Sequence, residues 1–537
     1  VPLPTLPDTK EDVKFYVRPN TQDRRPVSES LGCHIKGIAP PHADHDDSIT
    51  MAAGVCKRFG NKPTEMEPAL LDELRQFTRD TLSRWERKYG LKRLKSKDYP
   101  VLQWIEDINA SQSRKSQLRE ASELIYDVKK HTLVSLFIKD EFYENVKYPR
   151  LINSRHDVFK CRVGPMFRRI EKKLFKLPMF IKRVPVHKRM EYISERLYEP
   201  GGVYYNTDFE AFETIFTKDV MLNVEFELYK FMAPFDREGA QFLQDIEVLL
   251  GQNVCKNPIL LVWIIATRMS GENNTSLGNS FANYIFNKFA AFKAGVKTKG
   301  VVEGDDGTFR ASGEIPQEIY QRMGLKIQRE EFAALGDMSF CGLLQDEDGR
   351  QNITNPIKVL AKFGWCSRKY VGSSDKTKRS LAVAKALSYL HQYPHMPLVR
   401  PWCDMILRTC EMNNYRIMKY INSLDEFARN MHLSAFNSYR KDNIPSYKPS
   451  TGTRCMVDRL FGISIKQQLD IEDKLKSCDY GPIEMDVEFG DVYHYIWTTF
   501  VSQTDTLNSV VTNRQNLDEV TTRISHHLRR GGARPAD

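Results

Sequence analysis

Two carboxylates stand side by side in the run Glu303-Gly304-Asp305-Asp306-Gly307, which separates the short β-forming runs 300–302 and 308–311. That is the pattern of a hairpin with acids at its tip. Adjacent acids on a tight turn repel unless a cation lies between them. Asp208, at the end of the aromatic and β-branched run Tyr204-Tyr205-Asn206-Thr207, offers a third oxygen donor. Oxygen-only donors suit Mg²⁺ or Mn²⁺. Two such ions about 4 Å apart activate an attacking hydroxyl and stabilise a leaving oxygen in phosphoryl transfer. Each piece alone has a plainer reading: Asp-Asp-Gly is ordinary turn chemistry, and an acid at a strand end is often an N-cap.

Two further constellations bear on sugars and phosphates. The segment Arg268-Met269-Ser270-Gly271-Glu272-Asn273-Asn274-Thr275-Ser276-Leu277-Gly278-Asn279 runs into an amphipathic helix whose buried side is Leu277, Phe281, Ile285 and Phe289. Thr275 and Asn279 are four residues apart and share one face. Such a row of neutral hydrogen-bonding groups suits a sugar hydroxyl, and only RNA carries a 2′-OH. Lys139-Asp140-Glu141, followed by Lys147-Tyr148-Pro149-Arg150-Leu151-Ile152, sets cations around a proline-held turn, as a triphosphate requires.

The rest of the chain narrows the class. With 41% apolar and 28% charged residues, the 537-residue chain reads as globular, long enough for about three domain-sized units or one multi-lobed enzyme. Its surplus of +10 is concentrated, because residues 129–196 hold 18 Lys and Arg against 7 Asp and Glu. Phe137, Phe142, Tyr143, Tyr148, Phe159, Phe167 and Phe175 interleave with these cations and can pack or stack, so phosphate binding is favoured over a merely solvated face. The ten cysteines have no regular spacing and read as reduced intracellular thiols. Cys33, His34, His42, His45 and Cys56 could hold zinc, but their spacing fits no standard finger, and a polar surface loop is the expectation. The longest apolar run, 259–266, is too short to span a bilayer, and no signal peptide is visible. The start at Val1 suggests a processed product or an excised piece.

These residues need elements to hold them. Residues 1–60, rich in Pro, Gly, Asp and His, predict an extended arm lying on other elements. Thr64 and Glu67 form a capping box ahead of a helix with core stripe Leu70, Leu71, Leu74, Phe77, Leu82, Trp85 and Tyr89. Gly201-Gly202 breaks the chain before a strand at 203–207. From 375 to 435 the pattern is strongly helical, with Leu381, Ala384, Leu387, Ser388 and His391 on helical repeats and Pro394, Pro397 and Pro401 as breaks. The tail beyond about 502 is polar, and its end reads as disordered.

Taken in order, these motifs resemble those of the RNA-dependent RNA polymerases of positive-strand RNA viruses, with the tombus-like and noda-like branch as the nearest likeness. Lys139–Ile152 resembles motif F, Asp208–Glu213 motif A, Ser270–Asn279 motif B and Gly304-Asp305-Asp306 motif C. Gly324-Leu325-Lys326-Ile327 resembles the start of motif D, and Met338-Ser339-Phe340-Cys341-Gly342 motif E. The resemblance covers roughly residues 130–370.

It implies an α+β right-hand fold of fingers, palm and thumb, with an antiparallel palm sheet flanked by helices and a mostly helical thumb. The implied divisions are an N-terminal arm and helical extension of the fingers (1–100), basic fingers (101–200), palm with motif A (201–213) and a fingers insertion (214–258). Palm with motifs B to E (259–370), a helical thumb (371–500) and a polar tail (501–537) follow. Asp208, the Phe209 backbone carbonyl, Asp305 and Asp306 would hold two Mg²⁺ or Mn²⁺ ions. Lys139, Lys147 and Arg150 would hold the triphosphate, and Glu213, Ser270, Thr275 and Asn279 would read the ribose. Lys326 would be the general acid, with Arg329 the other candidate, although an arginine holds its proton too tightly. Glu213 stands where the family usually has aspartate. Implied partners are template and product RNA, rNTPs, other viral replication proteins and host membranes, in the host cytoplasm at membrane-associated replication sites. A reverse transcriptase, a non-catalytic RNA-binding replicase scaffold and a two-metal nuclease are the competing classes.

Overall fold

The computed structural model describes residues 14–17, 28–45, 48–59, 65–96, 99–144, 148–258, 260–332, 335–345, 352–424 and 426–490. Val1–Pro7, Lys147 and the tail from 501 lie outside the described residues. Helices and sheets mix throughout, in keeping with the α+β expectation. Among the described residues, no helix is long and apolar enough to cross a membrane.

Two sheets carry the polar motifs. The first is antiparallel, with strand order Ile327–Phe332, Val203–Phe209, Asp306–Ala311, Thr298–Glu303. Tyr205 and Phe309 stack in it at 5.5 Å, the cross-strand aromatic pairing that stabilises such ladders. The second sheet runs Lys14–Val17, Leu260–Ile265, Gln252–Asn257, Val134–Ile138, Leu151–Arg155, and its single parallel pair joins Val134–Ile138 to Gln252–Asn257. Between 375 and 477 the chain is a succession of helices, including Asp375–Gln392, Val399–Thr409, Glu426–Arg440 and Ile465–Ser477. Pro401 breaks nothing: it is the third residue of its helix, where no intrahelical N–H bond is lost.

The helix Thr275–Lys293 runs through the main core. Leu277, Phe281, Ile285 and Phe289 are fully buried, as their spacing predicts. Pro68–Tyr89 packs beside it through Leu70, Leu74, Phe77, Leu82 and Trp85, whereas Tyr89 is exposed and Leu71 only partly buried. Thr64 of the expected capping box lies outside the described residues. Glu67 is the N-cap and makes no side-chain capping bond; Pro68 at the first position instead presets the backbone.

The amino-terminal region departs furthest from expectation. Ser48–Phe59 is a helix inside the stretch read as an extended arm. The expected polar surface loop is largely interior: Leu31, Cys33, Ile35, Ile38, His42 and Asp44 are buried. Small apolar residues among the polar ones give this segment an inward face that its Pro, Gly and Asp content conceals. The described cysteines are free thiols.

Candidate active site

Glu303 and Asp306 form the last pair of the hairpin, so Gly304-Asp305 is a two-residue turn. Gly304 has φ +64°, a left-handed value at the first central position that a side chain would resist. On the neighbouring strand Thr207 pairs with Gly307. The next step of that antiparallel register sets Asp208 beside Asp306. Asp208 itself pairs with Gln328 on its other side, inside the strand rather than at its end.

The acids crowd together on these adjacent strands. The Asp306 carboxyl is pushed up to about 6 by burial first, then by repulsion from Asp305, Asp208 and Glu303. One donor opposes this, the Cys341 thiol, whose Sγ is 3.3 Å from Asp306 Oδ2. Cys341 has φ +51°, a strained conformation for a residue with a Cβ. Its turn is tied to the sheet by Asn206, which donates to the Ser339 carbonyl at 2.6 Å.

The acidic turn is clamped from behind. Ser280 Oγ accepts from the Gly304 N–H at 2.8 Å, and Asn283 Nδ2 donates to the carbonyls of Gly304 and Asp305 at 3.2 and 2.9 Å. Asn287 donates to Asn283 Oδ1 at 2.9 Å and accepts from the Tyr320 hydroxyl at 3.1 Å. All three helix residues are buried, so the hydrogen bonds offset a desolvation cost of about 1–3 kcal/mol per group. Buried Arg189 pairs with Glu303 at the hairpin's other flank. Sequence reading missed this set, although polar residues at 280, 283 and 287 recur at helical spacing within an apolar helix.

The 268–279 segment is organised by buried ion pairs. Arg268 pairs with Glu225 with both side chains fully buried, and its guanidinium lies 4.2 Å from the Phe216 ring centroid. Its Nε donates to Asn279 Oδ1 at 3.0 Å, and its backbone N–H donates to the Glu213 carbonyl at 3.1 Å. Arg155 Nε donates to Glu272 Oε1 at 2.7 Å. Gly271 lies so close to the second sheet that a Cβ there would meet the Asn153 carbonyl oxygen at 2.7 Å. Ala266 and Thr267, immediately upstream, both have positive φ, +47° and +66°. That strain costs on the order of 1–2 kcal/mol per residue.

The expected ribose-reading residues gather here with partners already in place. Asn279 is held by Arg268, and Thr275 Oγ1 donates to the Met269 carbonyl at 3.1 Å. Glu213 Oε1 accepts from Arg58 Nη1 at 3.1 Å, a contact from the unforeseen Ser48–Phe59 helix. Lys57 of that helix reaches Glu210 at 2.8 Å. Ser270 is partly buried at the turn before the helix, and Phe209 is buried at the strand end against Phe212, ring centroids 4.6 Å apart.

Lys139 and Arg150 are brought together. Lys139 Nζ lies 3.0 Å from Glu141 Oε2, Arg150 Nη1 lies 3.7 Å from the same oxygen, and the Lys139 N–H donates to the Arg150 carbonyl at 2.8 Å. Lys326 is exposed, and its carbonyl accepts from the Glu210 N–H at 2.9 Å, one residue beyond Phe209. Arg329 is a different case. It is mostly buried, with its guanidinium over the rings of Tyr205 and Tyr320 at 5.7 and 5.5 Å.

Much of the basic segment serves structure. Arg162 pairs with Asp245, Arg168 and Lys182 with Glu171, and Arg169 with Glu238. Of the two roles expected for its aromatics, packing holds for Tyr143, Tyr148, Phe159, Phe167 and Phe175, which are buried, whereas Phe137 is exposed. Of the expected zinc set, His42 and His45 converge with Asp140 among the described residues, and the Cys56 side chain lies outside them.

No protein-family profile and no curated protein matches this chain by sequence. Its fold does match solved structures. One is the crystal structure of an insertion-loop deletion mutant of the RNA-dependent RNA polymerase of a human picobirnavirus, with TM-score 0.54 and 13% identity over 76% of this chain and 83% of that one. The chain shares its fold with that viral polymerase.

Proposed function

We propose that this protein is a template-directed RNA polymerase that joins rNTPs on an RNA template and replicates a positive-strand viral genome. The observation that carries this reading is the crowding of Asp208, Asp305 and Asp306 on adjacent strands, where burial first and then repulsion from Asp305 and Asp208 raise the Asp306 carboxyl to about 6. Such repulsion is what a divalent cation relieves, and the all-oxygen donor set fits Mg²⁺ or Mn²⁺. Asp208 and Asp305 would hold two ions, with Asp306 and the Phe209 carbonyl in support. Bound there, the ions would ease deprotonation of a primer 3′-hydroxyl and neutralise the pyrophosphate.

The chain's own residues would do the positioning that supplies most of the rate. Ser280 and Asn283 fix the acidic turn. Lys139 and Arg150 exchange their shared carboxylate, Glu141, for a triphosphate; Lys147, outside the described residues, is the further cation the motif would supply to its entry. Ser270, Thr275 and Asn279 line the sugar side, and Glu213 either keeps Arg58 or gives it up to the ribose. Lys326 would hand a proton to the leaving pyrophosphate, a role for which buried Arg329 is poorly suited. On this reading the four-stranded sheet is the palm, the Lys14–Arg155 sheet belongs to the fingers, and the helices from 375 form the thumb.

The test is incubation of the purified chain with a short RNA template, four rNTPs and Mg²⁺ or Mn²⁺, with and without primer. Template-length RNA products are expected. Efficient use of dNTPs would favour a reverse transcriptase, and template shortening without extension would favour a nuclease.

A further inference from the structure

A second group of ligand-type side chains belongs to a different part of the fold. His42 is fully buried, with Nδ1 3.0 Å from the Ala43 carbonyl oxygen and Nε2 2.8 Å from Asp140 Oδ1. Both contacts are to acceptors. A neutral imidazole has one N–H to give, so the second contact needs another positive centre, a proton or a metal ion. His45 stacks on His42 with ring centroids 5.5 Å apart and planes at 22°. One ligand atom from each of His42, His45 and Asp140 lies within 4.8 Å of the others.

Two imidazoles and a carboxylate form a donor set of the zinc type, softer than the oxygen-only set of the acidic hairpin. A backbone carbonyl on the far ring nitrogen, as Ala43 provides, is how metal-bound histidines are commonly oriented. The surrounding backbone is already stitched: the Tyr143 N–H donates to the Pro41 carbonyl at 2.8 Å, His42 bridges to Phe142, and the two rings meet edge to face at 4.9 Å.

We propose that His42, His45 and Asp140 bind one zinc-type transition-metal ion, with water in the fourth position. The ion fastens the 41–45 segment to the stretch beside Val134–Ile138, across 98 residues of chain. Closing so long a loop favours the folded state, because the ligands are brought together only there. The site stands independently of the polymerase reading. One consequence does rest on that reading: Asp140 lies between Lys139 and Glu141, so the ion would stiffen the proposed triphosphate grip.

The experiment is titration of the full chain with Co²⁺ in excess Mg²⁺, followed by displacement with Zn²⁺. One equivalent should give the strong visible absorption of four-coordinate cobalt, and Zn²⁺ should abolish it and raise the thermal midpoint. His42→Ala and the isosteric Asp140→Asn should weaken Co²⁺ binding at least about tenfold, while Asp305→Asn leaves it intact. No visible band, or a band that survives both His42→Ala and Asp140→Asn, would overturn the site and leave a histidine–carboxylate ion pair. A band lost in Asp305→Asn instead would assign the cobalt to the hairpin and overturn it equally. Inactivity in RNA synthesis with cobalt binding retained would refute the polymerase reading alone.

Discussion

The acidic hairpin and the block behind the 268–274 turn treat charge in opposite ways. At the block, Arg268 and Glu225 are both fully buried and neutralise each other, and Arg155 does the same with Glu272. At the hairpin, burial first and then repulsion from Asp305, Asp208 and Glu303 outweigh the Cys341 thiol donor and push the Asp306 carboxyl up to about 6. Burying a charge without a partner is too costly for a structural role. Tolerating like charges at a solvent-open edge is affordable when a cation completes the set.

The sharpest way to break the contrast is Asp305→Asn, which keeps shape and removes charge. Nucleotide addition should fall on the order of a thousandfold, with RNA binding nearly intact by filter binding; wild-type activity would contradict the metal assignment. The block should respond in stability. Glu225→Gln strands the Arg268 charge and should cost about 3–5 kcal/mol, read from the denaturant midpoint.

The pH dependence follows from Asp306. Its folded value of about 6 lies above the roughly 3.9 of an unfolded aspartate. Its contribution to metal-free stability is therefore present below about pH 4 and lost as pH rises through 6. Asp306→Asn should stabilise the metal-free protein at pH 7 by only about 1 kcal/mol, because the carboxyl, though desolvated by its neighbours, keeps a solvent-facing edge that screens the repulsion. Below pH 6 a metal must displace a proton, so Mn²⁺ affinity measured by calorimetry should fall up to about tenfold per pH unit. A flat profile between pH 5 and 7 would argue against the crowded-acid picture.

Smaller effects sharpen the boundary between the regions. Asn279→Ala should reduce the preference for rNTPs over dNTPs several-fold, about 1 kcal/mol; an unchanged ratio would remove Asn279 from sugar reading. Arg58→Ala should cost about 0.5–1 kcal/mol of stability, as a partly exposed pair does. It should also shift the same ratio by freeing Glu213.

Legibility followed local pattern. The turn residues of 303–307, the apolar stripe of the Thr275–Lys293 helix and the helical run from 375 were readable because each rests on neighbours in sequence. The Ser48–Phe59 helix was not, since its region's Pro and Asp content masked a short amphipathic stretch. The same limit applied to charge: the surplus of 129–196 was countable, but its consumption by Asp245, Glu171 and Glu238 was not.

Sequence by itself determined the types of group available: adjacent acids on a glycine turn, a polar helix start, and cations about a proline. Residue identity and short spacing fix those. Only the tertiary structure decided which of them meet. The register of two strands brings position 208 beside 306, and a buried asparagine holds the turn. Packing also sets Arg268 against Glu225 and His42 against Asp140. Such meetings depend on contacts distant along the chain, whose energies exist only once the core has formed.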